Sequence, residues 1–179
     1  AIRLSLGAID TRLAELAATP GLQYGGTPEL ADRGVRVVGR VATILRTQAP
    51  SLTRDQSSQL VTVMGRMVSI LFDPQPEPPG YVALGFGVLD GVSWWLMFDP
   101  QPEPPGRGDA LTQGVRTLSS LSSIMFDPQP EPPGYVALGV DVLARISSVY
   151  FDPQPEPPGF ASLQQLQSIY VMAQVAGVI

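Results

Sequence analysis

One nine-residue string, Phe-Asp-Pro-Gln-Pro-Glu-Pro-Pro-Gly, occurs four times without a change, beginning at Phe72, Phe98, Phe126 and Phe151. Four prolines in each copy exclude both a helix interior and a central strand, because each proline removes a backbone donor and fixes φ. A residue ahead of proline is also driven out of the α region. Asp73, Asp99, Asp127 and Asp152 therefore mark helix stops. The prolines favour polyproline II, and the closing glycine is free to take a positive φ and turn the chain into the next element. Between the copies lie the segments 81–97, 107–125 and 135–150, and the segment 160–179 follows the last.

Those segments read as helices. Leu138, Val142, Ile146, Val149 and Tyr150 follow helical spacing and share one face, as do Leu111, Val115, Leu118, Leu121 and Met125. Asp109 is the expected N-cap of the latter helix. The segment from Tyr81 to Met97 holds Gly85, Gly87 and Gly91 among valines and aromatics that also suit a strand. Its kinship with its neighbours, above all the shared Tyr-Val-Ala-Leu-Gly at Tyr81 and Tyr135, makes it a helix.

Residues 1–71 carry no nonapeptide and read as an Arg-rich region of three helices. The first runs from Ile2 to Thr19 and stops at Pro20-Gly21. The second has Thr27 as N-cap with Pro28 in its first turn. The third opens on Thr53 and Gln56, a capping-box pair, and carries the stripe Leu60, Val63, Met64, Met67, Ile70 and Leu71. The expected fold is mainly α: this N-terminal helical region, then over residues 72–179 a solenoid-like α-helix/polyproline II array with nonapeptides at 72–80, 98–106, 126–134 and 151–159.

Lengths suggest how such an array closes. A 17-residue helix rises roughly 25 Å, and eight residues of polyproline II span about the same. Each nonapeptide is thus long enough to return along its helix, so that successive helices point the same way. The threefold period of polyproline II puts Glu77, and with it Glu103, Glu131 and Glu156, on an outward row, an evenly spaced acidic ladder. The helix-plus-polyproline unit resembles in architecture the hairpin of pancreatic-polypeptide-like hormones. More closely, the nonapeptide resembles the Asn/Asp-Pro-Gln-Pro-x-Pro-Pro repeats of certain bacterial proteins. That resemblance covers 36 of the 179 residues, implies no established activity and brings no catalytic residue to this chain.

Composition narrows the chemistry. Hydrophobic residues make up 44% of the chain, which argues against general disorder. Cysteine, histidine and lysine are all absent, every one of the eleven cations being arginine. Thiolate and imidazole ligands, the commonest general base and amine nucleophiles are thereby excluded. A nonapeptide offers two carboxylates on different rows, too few for Ca²⁺ within one copy. No catalytic, cofactor or metal site is expected. Nor is a signal peptide or a membrane span: the stretch from Tyr81 to Met97 is short and holds Asp90, and the uncharged segment 160–179 contains four glutamines. Arg107-Gly108-Asp109 resembles the integrin-recognition tripeptide, which is too short to be specific.

Charge is uneven along the chain. Residues 1–71 hold eight arginines and five acids; residues 72–179 hold three arginines and eleven acids, eight of them in nonapeptides. The two halves should attract, within or between chains. Arg33, Arg36 and Arg40 form one stripe of the second helix and are the expected partner of the glutamate ladder. The small, dispersed excess of arginine argues against nucleic acid. Trp94 and Trp95, adjacent on an apolar helix, belong to a core or an interface. The four segments that follow the nonapeptides hold six charges in all: Asp90, Arg107, Asp109, Arg116, Asp141 and Arg145. These are too few for helices that each keep a face in water. The features together point to a self-assembling structural protein, a homo-oligomer, sheet or filament joined through apolar helices. The alternative is a module that displays four identical proline-rich epitopes, with their P-x-x-P core, to a partner protein.

Overall fold

A computed structural model describes Thr11, Ala18 and residues 28–72, 80–98, 107–126, 134–150 and 163–179. Thr11 and Ala18 are helical, while the rest of the expected first helix, and nearly all of each nonapeptide, lie outside the described residues. Six helices follow: α1 (Pro28–Thr47), α2 (Arg54–Phe72), α3 (Gly80–Phe98), α4 (Arg107–Phe126), α5 (Gly134–Tyr150) and α6 (Leu163–Val178). There is no strand among the described residues, and the protein is mainly α.

The helix termini follow local chemistry. Pro28 opens α1, where its missing N–H costs nothing. Thr53 and Gln56 form the expected reciprocal box at the start of α2. The Thr53 backbone N–H donates to Gln56 Oε1 at 2.8 Å, and the Gln56 N–H donates to Thr53 Oγ1 at 3.2 Å. Gln56 then donates from Nε2 to Thr112 Oγ1 of α4 at 2.9 Å, so the cap also ties two helices together. Helices α2, α3 and α4 end at Phe72, Phe98 and Phe126, each directly ahead of an Asp-Pro. Two expectations change. Helix α4 already begins at Arg107, which puts Asp109 inside the first turn and not at the N-cap. Gly80 and Gly134 open α3 and α5 as ordinary helical residues, and neither takes a positive φ.

The helices pack in two rows. Helices α1, α3 and α5 are neighbours in one row, and α2, α4 and α6 in the other; α1 packs on α2, α3 on α4 and α5 on α6 across the rows. Side-chain contacts give the directions. Gly34, early in α1, faces Leu71 at the end of α2 and Phe86 early in α3. Gly114, early in α4, faces Leu96 near the end of α3, and Gly85 faces Met125 at the end of α4. Hydrogen bonds from Gln56 to Thr112 and from Arg66 to Ser119 and Ser122 align α2 with α4. Thus α1 and α3 run one way, α2 and α4 the other.

This corrects the expectation that successive helices point the same way. The end of α2 and the start of α3 meet at one end of the bundle, since Leu71 and Phe86 both touch Gly34. The connection therefore has no helix length to retrace. The antiparallel pairs α1 with α2 and α3 with α4 bury their apolar faces on each other, and that gain does not depend on an extended return. The expected polyproline II conformation falls on residues outside those described.

A single apolar core runs through both rows, from Ala31 in α1 to Ala176 in α6, without a break at residue 71. Helix α3 sits at its centre, against α1, α4 and α5. A helix that is hydrophobic all round is a buried one, and this explains the composition of α3: Val82, Phe86, Val88, Leu89 and Val92 are fully buried. The apolarity of this segment is met mostly inside the chain, by a second row of helices that a single-row array would not have.

Candidate interaction surfaces

The arginine stripe of α1 lies along α3. Arg40 donates from Nη1 to both the Asp90 carboxylate and the Asp90 backbone carbonyl, the latter at 2.7 Å, and Arg36 reaches the same carboxylate at 3.3 Å. The Arg33 guanidinium rests over Gly87. Arg36 also lies near Asp32, one turn back, at 3.9 Å. Arg40 and Asp90 are largely shielded, with 17% and 22% of their side chains exposed. Burial pushes the Arg40 guanidinium below its usual value; the Asp90 charge opposes this and the Arg36 charge adds to it. Among the described residues, the acid of residues 72–179 that Arg36 and Arg40 meet is Asp90 of α3. The four ladder glutamates Glu77, Glu103, Glu131 and Glu156 lie outside the described residues.

The two tryptophans separate. Trp95 is a core residue, while Trp94 is half-buried and packs against the core from its edge. Trp95 lies on a face of α3 that the protein itself covers.

That covered face has an uncovered twin. Aligned on their opening glycines, α3 and α5 match at Gly80/Gly134 and through Tyr-Val-Ala-Leu-Gly, and then at Val88/Val142, Leu89/Leu143 and Ser93/Ser147. Asp90 and the glycine over which Arg33 rests put one face of α3 against α1. Tyr81, Val88, Val92 and Trp95 form the opposite stripe, turned toward α5, and all four are buried. Their counterparts on α5 are Tyr135, Val142, Ile146 and Val149. Tyr81 is 7% exposed and Tyr135 60%; Trp95 is 6% exposed and Val149 71%. The apolar stripe legible in the sequence of α5 is thus its outer face. Its inward packing comes from Val136, Val140 and Leu143.

Helix α6 continues this surface with the exposed Val171 and Val178. Between α5 and α6 runs an open groove of about 690 Å³, walled by Tyr135, Leu138, Val142, Val175, Val178 and Ile179. Gln174 is the polar side chain on its lining. Gly139 lets the helices approach, since Ile179 occupies the space a Cβ there would need. The sequence signal for this surface was the identity of the two Tyr-Val-Ala-Leu-Gly strings, which marks α5 as a second α3. What the sequence does not reveal is that nothing in α1–α6 covers it.

Among the described residues no three His, Cys, Asp or Glu side chains gather as metal ligands, and no helix is long and apolar enough to cross a membrane. No family model, no curated protein and no solved structure matches this chain.

Proposed function

We propose that this chain is a non-enzymatic structural protein that associates with copies of itself, its helix pairs forming a short solenoid-like stack. The observation that carries the reading is the outer face of α5 and α6. It repeats, position for position along Tyr135, Val142 and Ile146, a surface that the same protein buries on α3. Contiguous apolar surface on one end of a stack is what a further layer of helices covers. In water such a face gains roughly 25 cal/mol for each Å² of apolar surface removed from solvent.

Sedimentation velocity from low to high micromolar concentration tests the reading. Mass is expected to rise with concentration, and sulfate, which strengthens apolar burial, to shift the rise to lower concentration. A chain that stays monomeric throughout overturns it and favours the display of the proline-rich nonapeptides to another protein.

A further inference from the structure

Resting on that reading of self-association, we infer that two copies meet through the same α5–α6 face, related by a twofold axis, as a closed dimer. The internal interface supplies the template: Tyr81, Val88, Val92 and Trp95 of α3 are buried on the side where α5 packs, and the equivalent stripe on α5 is open. A head-to-tail stack would need a matching open face at the other end of the molecule. There, on the side of α1 turned away from Arg36 and Arg40, Ala31, Val38 and Ala42 are already buried. The open face that a second copy offers is therefore the same one, and a patch that binds its own twin does so about a twofold axis.

Charge fits this symmetry. Asp141 and Arg145 flank the open stripe, one turn apart, at the positions where α3 has Gly87 and Gly91. They pair with each other at 2.8 Å and remain substantially exposed, Arg145 most of all. When two α5 helices cross antiparallel about an axis near Leu143, Asp141 of each copy meets Arg145 of the other. The face is then self-complementary in charge as well as in apolar surface, with the groove between α5 and α6 open to side chains from the second copy. Two helices about 25 Å long, spaced about 10 Å apart, give a footprint at the low end of stable interfaces, which bury about 800 Å² per partner. A micromolar dissociation constant is expected.

Two charge reversals test it in the full chain. Asp141→Arg leaves two cations on the face and Arg145→Asp leaves two anions. Each variant alone is expected to dimerise at least tenfold more weakly than the wild type, with an unchanged circular dichroism spectrum. Mixed in equal amounts, they are expected to form a heterodimer as tight as the wild-type dimer, since each then presents the charge the other lacks. Sedimentation velocity with one variant fluorescently labelled reads all three cases. If the wild type assembles but neither reversal weakens it, or the mixture fails to associate, the twofold α5–α6 interface is overturned while self-association stands. Open-ended growth of the wild type overturns it as well. A wild type that never assembles removes the reading beneath it.

Discussion

Asp90 is the sole charged residue in α3, and it answers two arginines of α1 with both its carboxylate and its backbone carbonyl. Its two contacts differ in weight because their surroundings differ. Arg40 is 17% exposed and Arg36 46%. Removing one partner of a shielded pair strands the other charge where water reaches it poorly, whereas an exposed pair trades its contact for solvent. Asp90→Ala is expected to cost about 2–4 kcal/mol in urea denaturation, and Arg36→Ala less than about 1 kcal/mol. Equal shifts in midpoint would show that the shielded Arg40 contact adds nothing beyond that of Arg36. Exchanging all of Arg33, Arg36 and Arg40 for Gln should accordingly lower the stability of the single chain, whatever it does to assembly. The stripe itself was legible from spacing alone; its partner was not. Asp90 is remote from Arg40 in sequence and belongs to a helix whose glycines and aromatics say nothing of which neighbour it faces.

At the scale of the helix, small residues decide where two elements approach. Gly34 sits against Leu71 and Phe86, both fully buried, and a Cβ there would stand 2.7 Å from a Leu71 methyl. Gly65, in the middle of α2, has nothing within 4 Å of such a Cβ. Glycine inside a helix is worth about 0.5–1 kcal/mol less than alanine. Gly65→Ala should therefore stabilise by that amount. Gly34→Val should destabilise by about 1–3 kcal/mol, because the junction of three helices must open to admit it. Thermal melts of the two variants should move in opposite directions; a stabilised Gly34→Val would mean that the junction is loosely filled. Helix positions were readable from periodicity and from the prolines, down to the Thr53–Gln56 box. Helix directions were not. The length match between a helix and a polyproline segment made a parallel array attractive, yet distance along an extended chain says only what a connection can span. Burial chose the antiparallel pairing, and it acts between residues such as Gly85 and Met125 that no local pattern links.

For the whole molecule, the unit of architecture is the helix pair, though a nonapeptide follows each single helix from α2 to α5. Successive helices α1 to α4 alternate in direction, so identical peptides follow helices that end at opposite ends of the bundle. Excising residues 81–134 would join Gly80 to Tyr135 and place α5 where α3 stood, with the same Tyr-Val-Ala-Leu-Gly at the seam. Ala144 would then face Arg40 in place of Asp90, so the shortened chain should also carry Ala144→Asp. It is expected to melt in one cooperative transition at a lower temperature than the parent, having lost one pair of the stack. Excising residues 81–106, a single helix with its nonapeptide, should leave a chain without a cooperative melt, because every later helix would have to enter the opposite row. A sharp melt from that second chain would show that the rows are interchangeable. Alternation thus sets a rule of parity for the gene. Unequal crossing-over between adjacent nonapeptide copies adds or removes an odd helix and scrambles the rows, whereas exchange between alternate copies keeps every remaining helix in register. A lineage of such chains can lengthen or shorten freely, but only in even steps.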